Sequence, residues 1–278
     1  GTLIAESINL YYVKFLKKEL LAEEYYFTNS NWFYKPLWTY EVEKSKKIVN
    51  QLYYSTNNEH IVRNDFKFNI TPGLQIMKWN RFIVWDQQQE DHLKQYCPNS
   101  EFIKVGYVDI TGVYKNHNSV NGKKILSIFD VTPCRPITFT KLGIAIPNYY
   151  SEELNIKFIQ DIKELFSYEK WIILWKPKRV VGTFFISEAF KRKQSKLING
   201  NLIKVNPGIA ASSLVENSDA VISMPFSSPS VIAKFKDVPC IFYDASGSVR
   251  NKMTRGIPLL RSKVKLKEWS LSLTKEQS

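Results

Sequence analysis

The stretch SMPFSSPSV, residues 223–231, sets four serine hydroxyls and two prolines between an apolar run, DAVI, and a helical-looking run, VIAKFK. Serine followed by proline is the chemistry of a helix start. A hydroxyl accepts from an unpaired backbone N–H, and proline gives up a donor that the first turn leaves unpaired anyway. Ser227 or Ser228 is the expected cap and Pro229 the expected first helical residue. A helix start with free N–H groups and added hydroxyls also attracts anions, so Ser223, Phe226, Ser227 and Ser228 have both a structural and an anion-binding reading.

A second cluster lies in KWIILWKPKR, where Lys176 ends an apolar run, Pro177 stiffens the turn, and Lys178 and Arg179 follow. An ammonium held at a strand end can neutralise a phosphate. The alternative is a basic strand end that simply faces solvent. Thr132 after IFD, and Pro207 and Gly208 after IKV, stand at comparable strand ends.

These positions converge only if the strands run parallel. Apolar runs bounded by polar clusters recur at EYYFTN, KIVNQLYYST, RFIVWD and EFIKVGYV, with helix-like LWTYEVEKSKK and QQEDHLKQYC between them. A second set follows, with strands in KKILSIFDV, KWIILWKP, NLIKVN, DAVISM and PCIFYD. Its helices are NIKFIQDIKELFSY, with a stripe at Ile156, Ile159, Ile162 and Leu165 or Phe166, then AASSLVEN and PSVIAKFK. Strand and helix in alternation, with almost continuously apolar strands, predict parallel sheets covered on both faces. Ligands of such sheets bind beyond the carboxyl ends of the strands.

The predicted fold is α/β, with two Rossmann-like domains whose parallel sheets face each other across a cleft. The first domain spans 1–113, a polar linker 114–122, the second domain 123–249 and a basic tail 250–278. KRKQSK reads as a solvated basic loop.

Composition narrows the function. The chain has 278 residues, 44% of them hydrophobic, which is enough for a sizeable core and excludes disorder as the main state. No run approaches the roughly 20 apolar residues of a membrane span, and the N-terminus has neither the charged start nor the cleavage site of a signal peptide. Cys97, Cys134 and Cys240 have no CxxC spacing, and His60, His92 and His117 read as ordinary surface or loop residues. No metal site is expected, and the compartment is the reducing cytoplasm.

The net charge is +13, and Lys and Arg against Asp and Glu number 14 to 13 in residues 1–120 but 25 to 13 in residues 121–278. The excess points to an anionic partner for the C-terminal half. No nucleic-acid-binding module accompanies it. The tail RNKMTRGIPLLRSKVKLKEW interleaves basic and apolar residues. It suits either contact with an anionic membrane surface or a last helix crossing back over the N-terminal half.

The run SDAVISMPFSSPSVIAKFKDVPCIFYDASG, with KWIILWKPKR before it, resembles the donor-binding half of GT-B glycosyltransferases. More narrowly it is similar to the bacterial polysaccharide biosynthesis family named for a PFTS motif, which stands here as Pro225-Phe226-Ser227-Ser228. FYKPLWTYEVEKSKKIVNQLYYSTNNEH and MKWNRFIVWDQQQEDHLKQYCPNSEFIKVGYV resemble the N-terminal half of the same family.

The resemblance implies sugar transfer from a nucleotide-sugar donor onto a glycan or lipid-linked glycan, in capsule or lipopolysaccharide assembly. Bacterial sialyl- and Kdo-transferases of this architecture use a His-Pro motif and a Ser-Ser/Thr motif on the donor phosphate. Lys176-Pro177 would occupy the first place and Ser227-Ser228 the second. Lysine in place of histidine implies charge stabilisation of the leaving phosphate rather than acid catalysis.

The expected donor is accordingly a CMP-activated acidic sugar, with a UDP donor as the alternative, and the donor is a co-substrate with no further cofactor. Thr132, Lys176, Pro177, Lys178, Pro207, Gly208, Ser223, Phe226, Ser227 and Ser228 form the donor set.

An inverting transferase also needs a general base for the acceptor hydroxyl. Glu41, among Trp38 and Tyr40, is the first choice, while Glu43 reads as an ion pair with Lys46 or Lys47. Asn29 and Ser30 after YYF, and Ser55, Thr56 and Asn57 after LYY, read as acceptor-binding turns or as ordinary turn chemistry. Trp32, Tyr34, Trp38 and Tyr40 read as core or as a saccharide platform. The enzyme would sit in the cytoplasm, with its basic tail on the inner face of the inner membrane. The rival readings are a CDP-polyol phosphotransferase and a non-catalytic nucleotide- or saccharide-binding subunit.

Overall fold

A computed structural model describes residues 2–28, 35–56, 61–62, 78–108, 122–133, 151–178 and 186–275. The chain divides into two compact units, Gly1–His60 with Phe68–Ile110, and Ile61–Lys67 with Thr111–Ser278. Most of the predicted linker, residues 114–121, lies outside the described residues.

The first unit opens with α1 (Thr2–Phe15) and continues with β1 (Glu24–Thr28), α2 (Trp38–Lys44), β2 (Ile48–Leu52), β3 (Arg81–Val84), α3 (Gln87–Lys94) and β4 (Glu101–Lys104). The four strands are parallel and lie in sequence order. Val42, Val49, Phe82 and Leu93 fill the core between sheet and helices. Trp38 belongs to that packing, its ring centroid 5.6 Å from Tyr25 and 5.7 Å from Phe27. Asp86 caps α3 by accepting from Gln89 N at 2.8 Å.

The second unit contains β5 (Lys124–Phe129), α4 (Glu152–Leu165), β6 (Trp171–Lys176), α5 (Glu188–Leu197), β7 (Leu202–Lys204), α6 (Ala211–Glu216), β8 (Ala220–Ser223), α7 (Ser228–Phe235), β9 (Cys240–Tyr243), β10 (Leu259–Leu260) and α8 (Lys263–Lys275). Its six parallel strands lie in the order β10-β9-β8-β5-β6-β7. The chain thus winds outward twice from β5, and β5 and β8 flank the point where the winding reverses. Asp219 secures that junction, its carboxylate accepting from Ile125 N at 2.7 Å.

Three expectations change here. The buried stripe of α4 runs through Leu154, Phe158, Ile159 and Ile162, with Ile156 half-buried, because the Phe158 ring stacks on Tyr243 at 6.0 Å. KRKQSK belongs to helix α5, which Ser187 caps by accepting from Phe190 N at 3.0 Å. That helix buries Phe190 and Gln194, four residues apart, so one aromatic anchor takes the place of an apolar stripe.

His92 is buried on α3, edge-on to Tyr96, and is not a surface residue. The basic tail forms α8, which packs on α4: Trp269 meets Phe166 at 6.4 Å, and Lys124 Nζ donates to Leu273 O at 3.0 Å. Val62 lies in this unit as well, bonded in both directions to Arg250 N and Asn251 Oδ1 at 2.7 Å each.

Candidate functional site

The carboxyl edge of the six-stranded sheet is built by register. Phe129 at the end of β5 pairs with Lys176 on one side and Ser223 on the other. Residues level with one another in a parallel sheet project to the same face, and strands lie about 4.8 Å apart, which puts Lys176 and Ser223 about 10 Å apart on one face. That face carries α7, because Ser223 Oγ meets Ser230 Oγ of α7 at 2.6 Å.

Lys176 is 9% exposed, and its ammonium makes no hydrogen bond or short ion pair among the described residues. Burial pulls its pKa below the ordinary lysine range, against the opposing charge of Asp130. An anion arriving at the strand end would give this ammonium a hydrogen-bond partner, so the geometry suits one.

Asp130, directly after β5, is a residue that the strand-end reading passed over. Its Oδ2 accepts from Asn155 Nδ2 and Trp175 Nε1 at 3.1 Å each, and its Oδ1 accepts from Lys178 N at 2.9 Å. Burial pushes its carboxyl up, while those three donors and the Lys176 charge hold it down. The carboxylate thereby ties β5, α4, β6 and the Lys-Pro-Lys turn together. A charged residue ending an otherwise buried strand was the signal available for it.

In the opening motif the hydroxyls divide. Ser223 is engaged with Ser230, whose Oγ also donates to Ile241 O at 2.9 Å. Ser227 occupies the N-cap position of α7, but its hydroxyl donates to Met224 O at 2.7 Å and does not cap the helix. Ser228 is the first helical residue and Pro229 the second, one place later than expected. Phe226 is buried against Phe242 at 5.4 Å and has φ of 60°, a left-handed conformation unusual for a residue with a side chain. Burying a phenylalanine contributes about 1.5–3 kcal/mol, comparable with the roughly 1–3 kcal/mol such a conformation costs. It is an anchor that holds the turn.

Beside this edge lies a cavity of about 270 Å³ lined by Thr132, Pro177, Lys178 and Pro207 of the predicted donor set, with Asp130, Phe190 and Gln194 among its other walls. The sheet edge therefore brings these four predicted residues to one cavity. Gly208 stands next to it, its N–H donating to Asn206 Oδ1 at 2.8 Å.

In the first unit Glu41 lies in the first turn of α2 and pairs with Lys44 at 2.6 Å. Glu43 pairs with buried Lys35 at 2.5 Å rather than with Lys46 or Lys47. The reason is local: Lys46 has left-handed φ of 64° past the helix end, and Lys47 turns to Glu23. Ser55 and Thr56 are buried after β2, where Gln89 Nε2 donates to Ser55 O at 3.0 Å. Asn29, Ser30 and Asn57 lie outside the described residues. Among the described residues no group of His, Cys, Asp and Glu is placed to hold a metal, and no helix is long and apolar enough to cross a membrane.

The fold as a whole resembles solved structures. It matches a putative UDP-N-acetylglucosamine 2-epimerase from Listeria monocytogenes with a TM-score of 0.56 and 11% identity, covering 98% of this chain and 70% of that one. It matches S. aureus TarM, solved with fondaparinux, α-GlcNAc-glycerol and UDP, with a TM-score of 0.51 and 11% identity, covering 96% of this chain and 51% of that one. No curated protein sequence matches. These likenesses define the α/β class with parallel sheets that GT-B glycosyltransferases share. The chain belongs to the polysaccharide biosynthesis PFTS motif protein family, whose model matches residues 2–270.

Proposed function

We propose that this chain is an inverting, metal-independent glycosyltransferase that moves an acidic nonulosonic or Kdo-like sugar from a CMP donor onto a capsule or lipopolysaccharide acceptor. The observation that carries the reading is Lys176: a buried lysine whose ammonium has no hydrogen bond among the described residues, level with Ser223 on the face of the sheet that carries α7. Family membership in polysaccharide biosynthesis supports the substrate class.

In the reaction the acceptor oxygen bonds to the anomeric carbon as the bond from that carbon to the phosphate oxygen breaks, with the electron pair leaving on the phosphate. Lys176 and the helix start receive that charge, the role a divalent cation would otherwise fill. The hydroxyl proton goes to a carboxylate, assigned to Glu41. Ser55, Thr56 and the neighbouring Asn29, Ser30 and Asn57 are assigned to the acceptor.

The protein works in the cytoplasm, with α8 against the anionic inner face of the membrane where lipid-linked acceptors reside. Calorimetric titration of CMP and UDP tests the donor site. A Lys176→Ala, Ser228→Ala double variant is expected to lose about tenfold or more in affinity, the worth of one or two charge-assisted hydrogen bonds. Unchanged affinity removes the assignment, and tighter binding of UDP than CMP replaces the cytidine donor with a uridine one.

A further inference from the structure

The cavity beside the sheet edge presents a polar side chain of its own. Gln194 projects from α5 into its wall, is 8% exposed, and its side-chain amide has no hydrogen-bond partner among the described residues. A ligand entering the cavity would meet an amide donor and acceptor that no described residue engages.

Its neighbours define what would fit. Pro133, Pro177, Pro207, Ile186 and Phe190 supply apolar walls suited to a flat ring. Asp130 also lines the cavity, but its oxygens already accept three hydrogen bonds. The lining lysines can only donate. Gln194 offers an acceptor and a donor side by side in one plane, which is the pairing an amide makes with a base edge.

The cavity's volume of about 270 Å³ is below the roughly 300–1,000 Å³ of pockets that enclose whole drug-sized ligands. It suits one ring and part of a ribose, leaving a phosphate outside, toward the strand ends.

We propose that the Gln194 amide pairs with the donor–acceptor edge of a pyrimidine base, so that this cavity selects the nucleobase of the donor. The inference rests on the nucleotide-sugar reading above and adds to it the residue that holds the base edge, while the one-ring size of the cavity sets pyrimidine against purine. Either pyrimidine offers such an edge, N4–H with N3 in cytosine or N3–H with O4 in uracil, and rotation of the amide accommodates both.

The test is calorimetric titration of the whole chain with CMP, UMP, AMP and ribose 5-phosphate, for the wild type, Gln194→Leu and Gln194→Glu. Melting curves establish that the variants are folded. Gln194→Leu is expected to weaken CMP or UMP by about tenfold or more, since it leaves the base edge unpaired in an apolar site. Gln194→Glu, with acceptors only, should lose less. Ribose 5-phosphate, which has no base, should bind all three proteins equally.

The inference is overturned if both variants bind CMP and UMP as the wild type does, if ribose 5-phosphate weakens in parallel, or if AMP is preferred. Wild-type protein that binds none of the nucleotides would instead overturn the donor reading itself, and this inference with it.

Discussion

Lys176 and Asp130 show how one residue's surroundings set its chemistry. Because burial lowers the pKa of Lys176, the folded chain releases this proton below the ordinary value of 10.5, whereas the unfolded chain keeps it up to that value. In the window between the two, the unfolded state binds more protons, so the contribution of this residue to stability rises with pH. Anion binding moves the opposite way, because the ammonium is lost as pH rises through the lowered pKa.

Nucleotide affinity should therefore fall on the alkaline side at a pH beneath 10.5, while the difference in stability from Lys176→Arg narrows or reverses in favour of the wild type. The arginine variant, charged throughout, should lack both inflections. Affinity that stays flat to pH 10.5 in the wild type would refute the lowered pKa. Cys240 offers no comparable reactivity, since burial pushes its thiol up to about 11.

At the scale of elements, the turn between β8 and α7 is held by paired hydroxyls and by the buried ring of Phe226. Ser230→Ala should destabilise the chain by about 1–3 kcal/mol, because it strands the Ser223 hydroxyl in a buried site. Urea denaturation midpoints measure this, and a loss below about 0.5 kcal/mol would mean that water or rotation satisfies the Ser223 hydroxyl. All strands but β10, which falls in the stretch read as a basic tail, and most helices of both units were legible in the sequence, since continuous apolar runs and caps are local signals. Helix α5 was not. Its inward face is one phenylalanine and one glutamine among lysines, and only packing beneath it reveals which residues face inward.

For the whole molecule, the charge excess of residues 121–278 predicts behaviour toward surfaces. On α8, Val264 and Leu271 are exposed beside Lys265 and Lys267, while Trp269 turns toward α4. The chain should co-sediment with phosphatidylglycerol vesicles at low salt and be released at 1 M salt, where the screening length falls to about 3 Å. Phosphatidylcholine vesicles should leave it in solution. Binding both lipids equally, or neither, would count against an electrostatic membrane contact.

The sequence alone was sufficient for the alternating parallel architecture, the excess of positive charge and the serine and lysine turns, because periodicity, composition and cap chemistry act between near neighbours in the chain. Tertiary structure decided the rest. Register across β6, β5 and β8 put Lys176 level with Ser223, two separate segments converged on Asp130, and Gln194 came to line a cavity wall. The motif PFSS was recognisable from its letters, but which hydroxyls bond inward depended on where Met224 and Ser230 came to rest. Satisfaction of a buried polar group is a property of the surrounding fold, and the identity of the residue does not contain it.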